Sequence, residues 1–211
     1  MRKNRKKYSL NELSSCMENI EQQDLQAAVG GVQIFSSEGR YLGKVGYNND
    51  IRVVDPGTSW GGLDEMAVYS ISVPYSSCHA GIKELVIRSI ARHAGVETSI
   101  QFVNDGDFIA RTRLDNATIL VNESKLLFST DNYYDIFLTM DHENTHVRHL
   151  KEDPSLNTSN KAVHIREEIQ TTKHTLNHDL YNCASAKFRD IMESNLKILE
   201  KEMQSFGSYY Y

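Results

Sequence analysis

The chain has 211 residues with ordinary hydrophobic and charged fractions, which fits one globular domain with room for an appended segment. Its formal charge of −5 gives no reason to expect nucleic acid as the main partner, and no run approaches the ~20 apolar residues of a membrane span. The three cysteines form neither a CxxC pair nor a dense disulfide framework, and the sequence leaves open whether Cys78 and Cys183 pair.

The first 31 residues differ in character from the rest of the chain. Residues 1–7 are mostly basic, yet no apolar segment follows them, so an ordinary secretory signal peptide is not expected. A helix-prone stretch comes next, with three apolar residues on one face and two glycines at its end: Ile20, Leu25 and Ala28, then Gly30 and Gly31. This pattern resembles the double-glycine leader of bacterial peptides exported by ABC transporters that carry a cysteine peptidase domain.

The resemblance implies that residues 1–31 are a leader, that the transporter's peptidase cuts after Gly31, and that a secreted protein begins at Val32. Glycines suit the cut because a narrow cleft admits only backbone there. Two alternatives stay open. One is a surface helix followed by a glycine hinge, in a cytoplasmic protein, and the other is a retained pro-region that covers the active site.

Short β-prone runs separated by turn residues follow the two glycines. They cover Val32–Phe35, residues 40–45 and Ile51–Val54, and residues 66–73 alternate weakly in the same way. The sequence therefore predicts a mostly antiparallel meander of short strands.

Residues 80–94 carry apolar side chains at spacings of three and four, which predicts an amphipathic helix. Strands are predicted at residues 97–103 and 108–112, and residues 116–122 form the clearest strand of the chain. Since helices are predicted for most of the remainder, we expect an α+β fold.

The run at 133–140 contains no Gly or Pro and predicts a helix, with Asp131 or Asn132 as its N-cap. His142 and His146 continue this helix four residues apart, so both imidazoles project from one face and can reach one metal ion. With Glu143 they form the pattern His-Glu-x-x-His, in which the glutamate can take a proton from a metal-activated water. An exposed helix that carries two histidines by chance is the alternative.

The pattern resembles the zinc signature of metallopeptidases, the zincins. The metzincin extension, with Gly and His at fixed places after the second histidine, is missing from this chain. The gluzincin arrangement takes a glutamate from the next helix, some twenty residues on, where Glu167 and Glu168 stand. The chain is predicted to be helical there, from Lys161 almost to Gln204.

Helical phase favours Glu168 over Glu167. One stripe of the helix is expected to face the core: Ile165, Ile169, Thr172, Leu176 and Leu180. At about 100° per residue, Glu168 lies roughly 60° from this stripe and Glu167 roughly 160° from it. Because a buried ligand must lie near the packed face, we expect Glu168 as the third ligand and Glu167 on the solvated face.

The resemblance implies a zincin-like metallopeptidase domain over residues 32–211, with Zn²⁺ held by His142, His146 and Glu168. It implies further that the helix of residues 80–94 backs the sheet. It also implies Glu143 as the general base and a peptide or protein as the substrate. Thr171 and Thr172 stand about where thermolysin-like enzymes carry a second, metal-orienting acid.

Other residues near the motif allow more than one interpretation. His149 lies on the same helix face as His142 and His146. It could be a substitute ligand, an outer partner of a ligand, or a partly exposed residue without a role in the site. His174 and His178 lie one turn apart on the next helix, and either hydrogen-bond the oxyanion of a tetrahedral intermediate or face solvent. We also expect an extended substrate to add to a sheet edge formed by residues 117–122.

Two functions of other classes remain open. The first is an exported antibacterial or signalling polypeptide with a structural zinc site. The second is a surface binding module with a degenerate zincin fold. Peptide hydrolysis that is lost in Glu143→Ala while zinc is retained would distinguish a peptidase from both.

Overall fold

The structure is a computed structural model, and it describes residues 32–35, 41–45, 49–54, 72–75, 78, 80–122, 125 and 132–207. The leader predicted for residues 1–31 lies outside the described residues and stays a prediction. In the described residues the strands lie in the N-terminal part of the chain and most of the helices in the C-terminal part, so the α+β class is confirmed.

The front sheet is an antiparallel meander, as the sequence predicts, although most of the strand predicted at residues 66–73 lies outside the described residues. Its strands are β1 (Val32–Phe35), β2 (Tyr41–Val45), β3 (Ile51–Val54) and β4 (Ser72–Pro74), and each pairs with the next in that order. The predicted backing helix is α1 (Ala80–His93), which packs against β1 and β2. Val86, Ile87 and Ile90 of this helix are buried with side chains of the sheet, so the core begins between these two layers.

A second, mixed sheet holds β5 (Ile100–Val103), β6 (Ala110–Thr112) and β7 (Ile119–Asn122) in the order β5-β7-β6. Strand β7 runs parallel to β5 and antiparallel to β6, and all four of its residues are buried. The prediction that residues 117–122 form a free edge is therefore wrong. The continuous apolar run of β7 is typical of a central strand. In the described residues, β6 lies at one edge of this sheet.

The helix with the histidine motif is α2 (Tyr133–Glu152). The Asn132 side chain accepts a hydrogen bond from the Tyr134 N–H, which confirms Asn132 as the N-cap. The helix ends at Glu152, and Pro154 starts a short 3₁₀-helix (Pro154–Leu156) directly afterwards. Helix α2 packs against α1 on one side and against β6 on another, which sets the motif beside the edge strand.

The predicted long C-terminal helix is in fact two helices, α3 (Lys161–Leu176) and α4 (Ala186–Gly207), with a 3₁₀-helix (Tyr181–Cys183) between them. A tertiary contact explains the break. The Asp135 carboxylate of α2 accepts hydrogen bonds from the Ser185 N–H and hydroxyl, and the Ser185 Oγ accepts one from the Phe188 N–H. Ser185 therefore caps the second helix and returns the chain along α3.

Cys78 and Cys183 are free cysteines. None of the helices in the described part of the chain is long and apolar enough to cross a membrane.

Candidate metal centre

Three side chains from α2 and α3 bring ligand atoms to one point. The Nε2 atoms of His142 and His146 are 3.2 Å apart. Glu168 extends one carboxylate oxygen to 3.7 Å from the His142 Nε2 and the other to 3.5 Å from the His146 Nε2. The three residues predicted to hold a metal could therefore hold one metal ion between them.

The spacing of these atoms fits a small tetrahedral ion. Bonds of about 2.0–2.2 Å at tetrahedral angles place neighbouring ligand atoms about 3.3–3.6 Å apart. The two Nε2 atoms lie 3.2 Å apart, close to this range, and each is 3.5 or 3.7 Å from a different oxygen of the Glu168 carboxylate. Two imidazoles and one carboxylate also form a donor set that zinc accepts, with the fourth position left for water or substrate.

Outer partners on α3 orient both imidazoles. The His142 Nδ1 lies 3.1 Å from the Thr175 hydroxyl, which donates its own hydrogen to the Thr171 carbonyl at 3.2 Å. That hydroxyl therefore accepts the Nδ1–H of His142. The His146 Nδ1 contacts the Glu167 carboxylate. These contacts favour a proton on Nδ1 of both rings, so that each Nε2 would offer its lone pair to a bound metal ion.

Glu167 is the centre of this outer layer. Its Oε1 accepts hydrogen bonds from the Thr171 hydroxyl at 3.0 Å and from the His149 Nδ1 at 2.9 Å, while its Oε2 faces His146. Its side chain is only 10% exposed. The carboxylate that supports His146 thus comes from Glu167, and the Thr175 hydroxyl supports His142.

The expectation that Glu167 lies on the solvated face is therefore wrong, and so is the reason given for choosing Glu168. Glu168 is the more exposed of the two, with 46% of its side chain accessible. The face of α3 toward α2 is polar, and Glu167, Thr171 and Thr175 line it at helical spacing. A search for apolar stripes does not detect a packed face that is polar. Glu168 nevertheless reaches both histidines, at a position that is open to solvent.

The charges of the cluster favour a cation. Burial opposes the charged form of His146, but the neighbouring Glu167 and Glu168 carboxylates outweigh it and raise the pKa of His146 to about 10. Burial likewise opposes ionisation of both glutamates, and their contacts with the imidazoles still lower the pKa of Glu167 and of Glu168. Both carboxylates are therefore negative at neutral pH, and a divalent cation would compete with a proton for this position.

Glu143 contacts the edge strand β6. Its side chain is buried, and the Thr112 hydroxyl of β6 lies 2.9 Å from both its carboxylate Oε2 and its backbone carbonyl. Burial raises the pKa of Glu143, while the charges of His142 and His146 and the Thr112 hydroxyl oppose that rise. A carboxylate with a raised pKa, held in one orientation, is suited to general-base work.

The other histidines differ in their relation to the site. His149 is an outer partner, since it bonds Glu167 and not the metal position. His174 pairs with Asp141 through its Nε2 at 3.2 Å. His178 accepts the Leu180 N–H and lies edge-on to the Phe137 ring. The described contacts of His174 and His178 are thus to residues outside the three-ligand cluster.

A cavity of about 360 Å³ opens next to the site, between the segment that leads into β6 and the first turns of α4. His142 and Glu143 form part of its wall. The cavity therefore gives a ligand access to the Glu143 carboxylate and to the candidate metal position.

Two features of the site escape sequence reasoning, the Thr175 hydroxyl and the Thr112 hydroxyl. The only available signal is weak, namely that Thr175 follows Thr171 at helical spacing on a helix expected to pack beside the motif.

Comparison of the chain with protein-family models, with curated proteins and with solved structures found no significant match. The function is therefore argued from the geometry of the site.

Proposed function

We propose that the protein is a zinc-dependent peptidase of the gluzincin-like zincin type, with a peptide or protein as its substrate. One observation carries the proposal. A tetrahedral-like set of His142, His146 and Glu168 lies beside the buried carboxylate of Glu143, at the wall of an open cavity. A purely structural metal site has no need of a second acid that is not a ligand, or of access for a ligand from solvent.

Zinc is the ion that this donor set favours, because imidazole nitrogens with one carboxylate are its usual ligands at catalytic sites. When bound, zinc polarises a carbonyl and lowers the pKa of a water molecule to about 7. His142 and His146 would hold it through Nε2, and Glu168 through a carboxylate oxygen.

The chain's own residues supply the proton transfers. Glu143 accepts a proton from the attacking water and then donates it to the amine that leaves when the peptide bond breaks. Its carboxylate is buried and is held by a hydrogen bond from the Thr112 hydroxyl. Thr175 and Glu167 keep the imidazoles in the orientation that ligation needs.

The edge strand β6 is the surface on which we place an extended substrate. It packs against α2 and carries Thr112 beside the base, so a peptide added to this edge would run past Glu143. This replaces β7, which is paired on both sides.

The test compares Glu143→Gln with Glu152→Gln, an exposed glutamate at the end of the same helix. We expect both variants to bind one zinc per chain. Glu143→Gln should lose peptide hydrolysis by about 10²-fold or more, because base catalysis is worth 10²–10⁴, whereas Glu152→Gln should match the parent. Hydrolysis that survives in Glu143→Gln would reject the mechanism.

A parent protein that binds zinc and cleaves no peptide would instead support the other classes, an exported polypeptide or a surface module with a structural or degenerate zinc site.

We also propose that the working protein is secreted after removal of residues 1–31. The support is the basic start without an apolar segment, followed by Gly30-Gly31 just before the first strand. N-terminal sequencing of protein recovered from culture medium tests this. A first residue of Val32 is expected, whereas recovery of a chain beginning at Met1, or only from inside the cell, would refute the export proposal without affecting the metal site.

A further inference from the structure

The hydrogen bonds between β6 and β7 determine which backbone groups of β6 remain at its open edge. The Asn122 N–H donates to the Ile109 carbonyl at 2.8 Å. Four residues along the chain from Ile109, the Arg113 N–H donates to the Thr118 carbonyl, also at 2.8 Å. In an antiparallel pair every second residue bonds the neighbouring strand. Arg111, midway between Ile109 and Arg113, therefore also bonds β7 through its backbone.

Ala110 and Thr112 turn their backbone groups the other way, toward the open edge. In the described residues no strand lies on that side of β6. An antiparallel peptide that adds to this edge would bond the backbone of Ala110 and of Thr112. The peptide residue between these two bonded positions would lie opposite Arg111, in a pair whose Cα atoms are only about 4.5 Å apart. Cross-strand side chains interact most strongly at such a position.

The side chains of β6 alternate between the two faces of its sheet. Thr112 points toward α2, since its hydroxyl contacts Glu143, and Ala110 shares that face. Arg111 points to the opposite, outer face and is exposed. The peptide side chain opposite Arg111 would therefore stand on the outer face beside the guanidinium, while its two neighbours would point toward α2.

The Phe108 ring supports the guanidinium of Arg111. The Arg111 Cζ lies 4.3 Å from the centroid of this ring, within the range of a cation–π contact. A guanidinium that stacks through its face keeps its N–H edge available for a planar acceptor. In the described residues no acid forms an ion pair with Arg111, whereas Arg113 pairs with Asp115. Arg111 is thus a cation with its side chain oriented and its edge open.

We propose that Arg111 is a specificity residue of the edge strand and selects peptides that carry Asp or Glu at the position opposite it. This inference rests on the proposed peptidase function and adds the chemical class of the substrate. A carboxylate at that position accepts hydrogen bonds from the guanidinium edge, whereas a Lys side chain meets a like charge. The formal charge of the chain is −5, so its overall charge does not attract acidic peptides and the selection is local to this cation.

The test uses peptides of one length in which a single Glu, Gln or Lys is placed at each position in turn, on both sides of the cleaved bond. In the parent one position should stand out. Glu there should raise kcat/KM about two- to fivefold over Gln, as expected for an exposed pair of opposite charges across two strands, and Lys should lower it. The advantage of Glu should shrink in 1 M salt, where the Debye length is about 3 Å.

Arg111→Glu should reverse the preference at that position, so that the Lys peptide is cleaved faster than the Glu peptide. Arg113→Glu is the matched control, because it makes the same change of charge two residues further on, at an exposed arginine that pairs with Asp115. It should keep the preference of the parent at that position. Equal losses in the two variants would show a general effect of charge and overturn the inference, as would an unchanged preference in Arg111→Glu.

A binding measurement separates this inference from the proposed function. It uses an eight-residue peptide with Glu at every second position, together with its Gln counterpart, and the full zinc-loaded Glu143→Gln chain. We expect the Glu peptide to bind more tightly than the Gln peptide and to slow amide hydrogen exchange at Ala110 and Thr112. When Arg111→Glu is added to the chain, the advantage of the Glu peptide should disappear.

The two proposals fail in different ways. If the Glu peptide binds as described but the parent cleaves no peptide, the peptidase proposal fails and the edge of β6 stands as a site for extended acidic peptides. If the Glu and Gln peptides bind equally, or exchange at Ala110 and Thr112 does not change, the inference about Arg111 fails whatever the catalytic result.

Discussion

The two halves of helix α2 are buried in different ways. From Tyr133 to Met140 the buried side chains are almost all apolar, and they pack into the hydrophobic core with α1. From Asp141 onward the buried positions include charged and polar groups, among them Glu143, Thr145 and His146. The first half is stabilised by packing, which depends on volume, and the second by hydrogen bonds and ion pairs, which depend on individual partners.

This difference indicates which changes should affect stability and which should affect the site. An apolar core residue contributes through the area it buries, so its loss weakens the whole fold. A buried polar residue contributes through one or two named atoms, so its loss leaves a specific group unpaired. Four experiments test the contrast, from the largest expected effect to the smallest.

Leu138→Ala should have the largest effect on stability. Leu138 is fully buried, and truncation of such a side chain costs about 2–5 kcal/mol of the free energy of unfolding. Zinc stoichiometry of the folded fraction should not change, because Leu138 lies a turn before His142 and outside the ligand set. Denaturant unfolding and metal analysis of the same sample measure both quantities, and lost zinc in a folded variant would contradict the separation of the two halves.

Zinc should stabilise the parent through the second half of α2 together with Glu168 of α3, and not through the apolar first half of α2. At a zinc concentration of 100 times Kd, ligand linkage gives about 2.7 kcal/mol, and a chelator should remove that gain. In His146→Ala, zinc should no longer raise the stability and the chelator should no longer lower it, because one of the three ligands is lost. His164→Ala, a histidine of α3 outside the cluster, should respond like the parent in a thermal melt. A full zinc response in His146→Ala would show that the ligand set is wrong.

Thr175→Val should weaken zinc binding without unfolding the chain. It removes the hydroxyl that accepts the His142 Nδ1–H, and loss of an outer partner of this kind costs about 10–100-fold in metal affinity. Thr172→Val is the control, since Thr172 is buried on the same helix and is not part of this hydrogen-bond chain. Competition with a chromophoric chelator measures the two affinities. Equal affinities would exclude an orienting role for Thr175.

Thr112→Val should have the smallest effect, on turnover and not on metal. It removes the hydrogen bond to the Glu143 carboxylate, and a bond to a charged group is worth about 1.5 kcal/mol, or roughly tenfold in kcat. KM and zinc affinity should stay near those of the parent, and Thr112→Ser should restore kcat because it keeps the hydroxyl. A rise in KM with unchanged kcat would assign Thr112 to substrate binding instead.

Local signals predicted much of the fold and the inner part of the site. The strands Val32–Phe35 and Ile51–Val54, the backing helix α1 and the N-cap at Asn132 lie where residue patterns place them, because each depends on neighbours within a few positions. The spacing of His142 and His146 needs only the geometry of a single helix. Glu168 was identified as well, although the argument for it assumed the wrong face of α3.

Only the tertiary structure decided the contacts between elements that are far apart in sequence. Glu167 meets His146 and Thr175 meets His142 because α3 turns a polar face toward α2, and no periodicity of apolar residues reveals such a face. The same holds for β6 at the sheet edge and for the break at Ser185, which follows from its bond to Asp135 fifty positions away. Sequence determines which groups a helix presents. Their partners are settled only when the faces of different elements pack together, since each buried polar group must then find the donor or acceptor that lies opposite it.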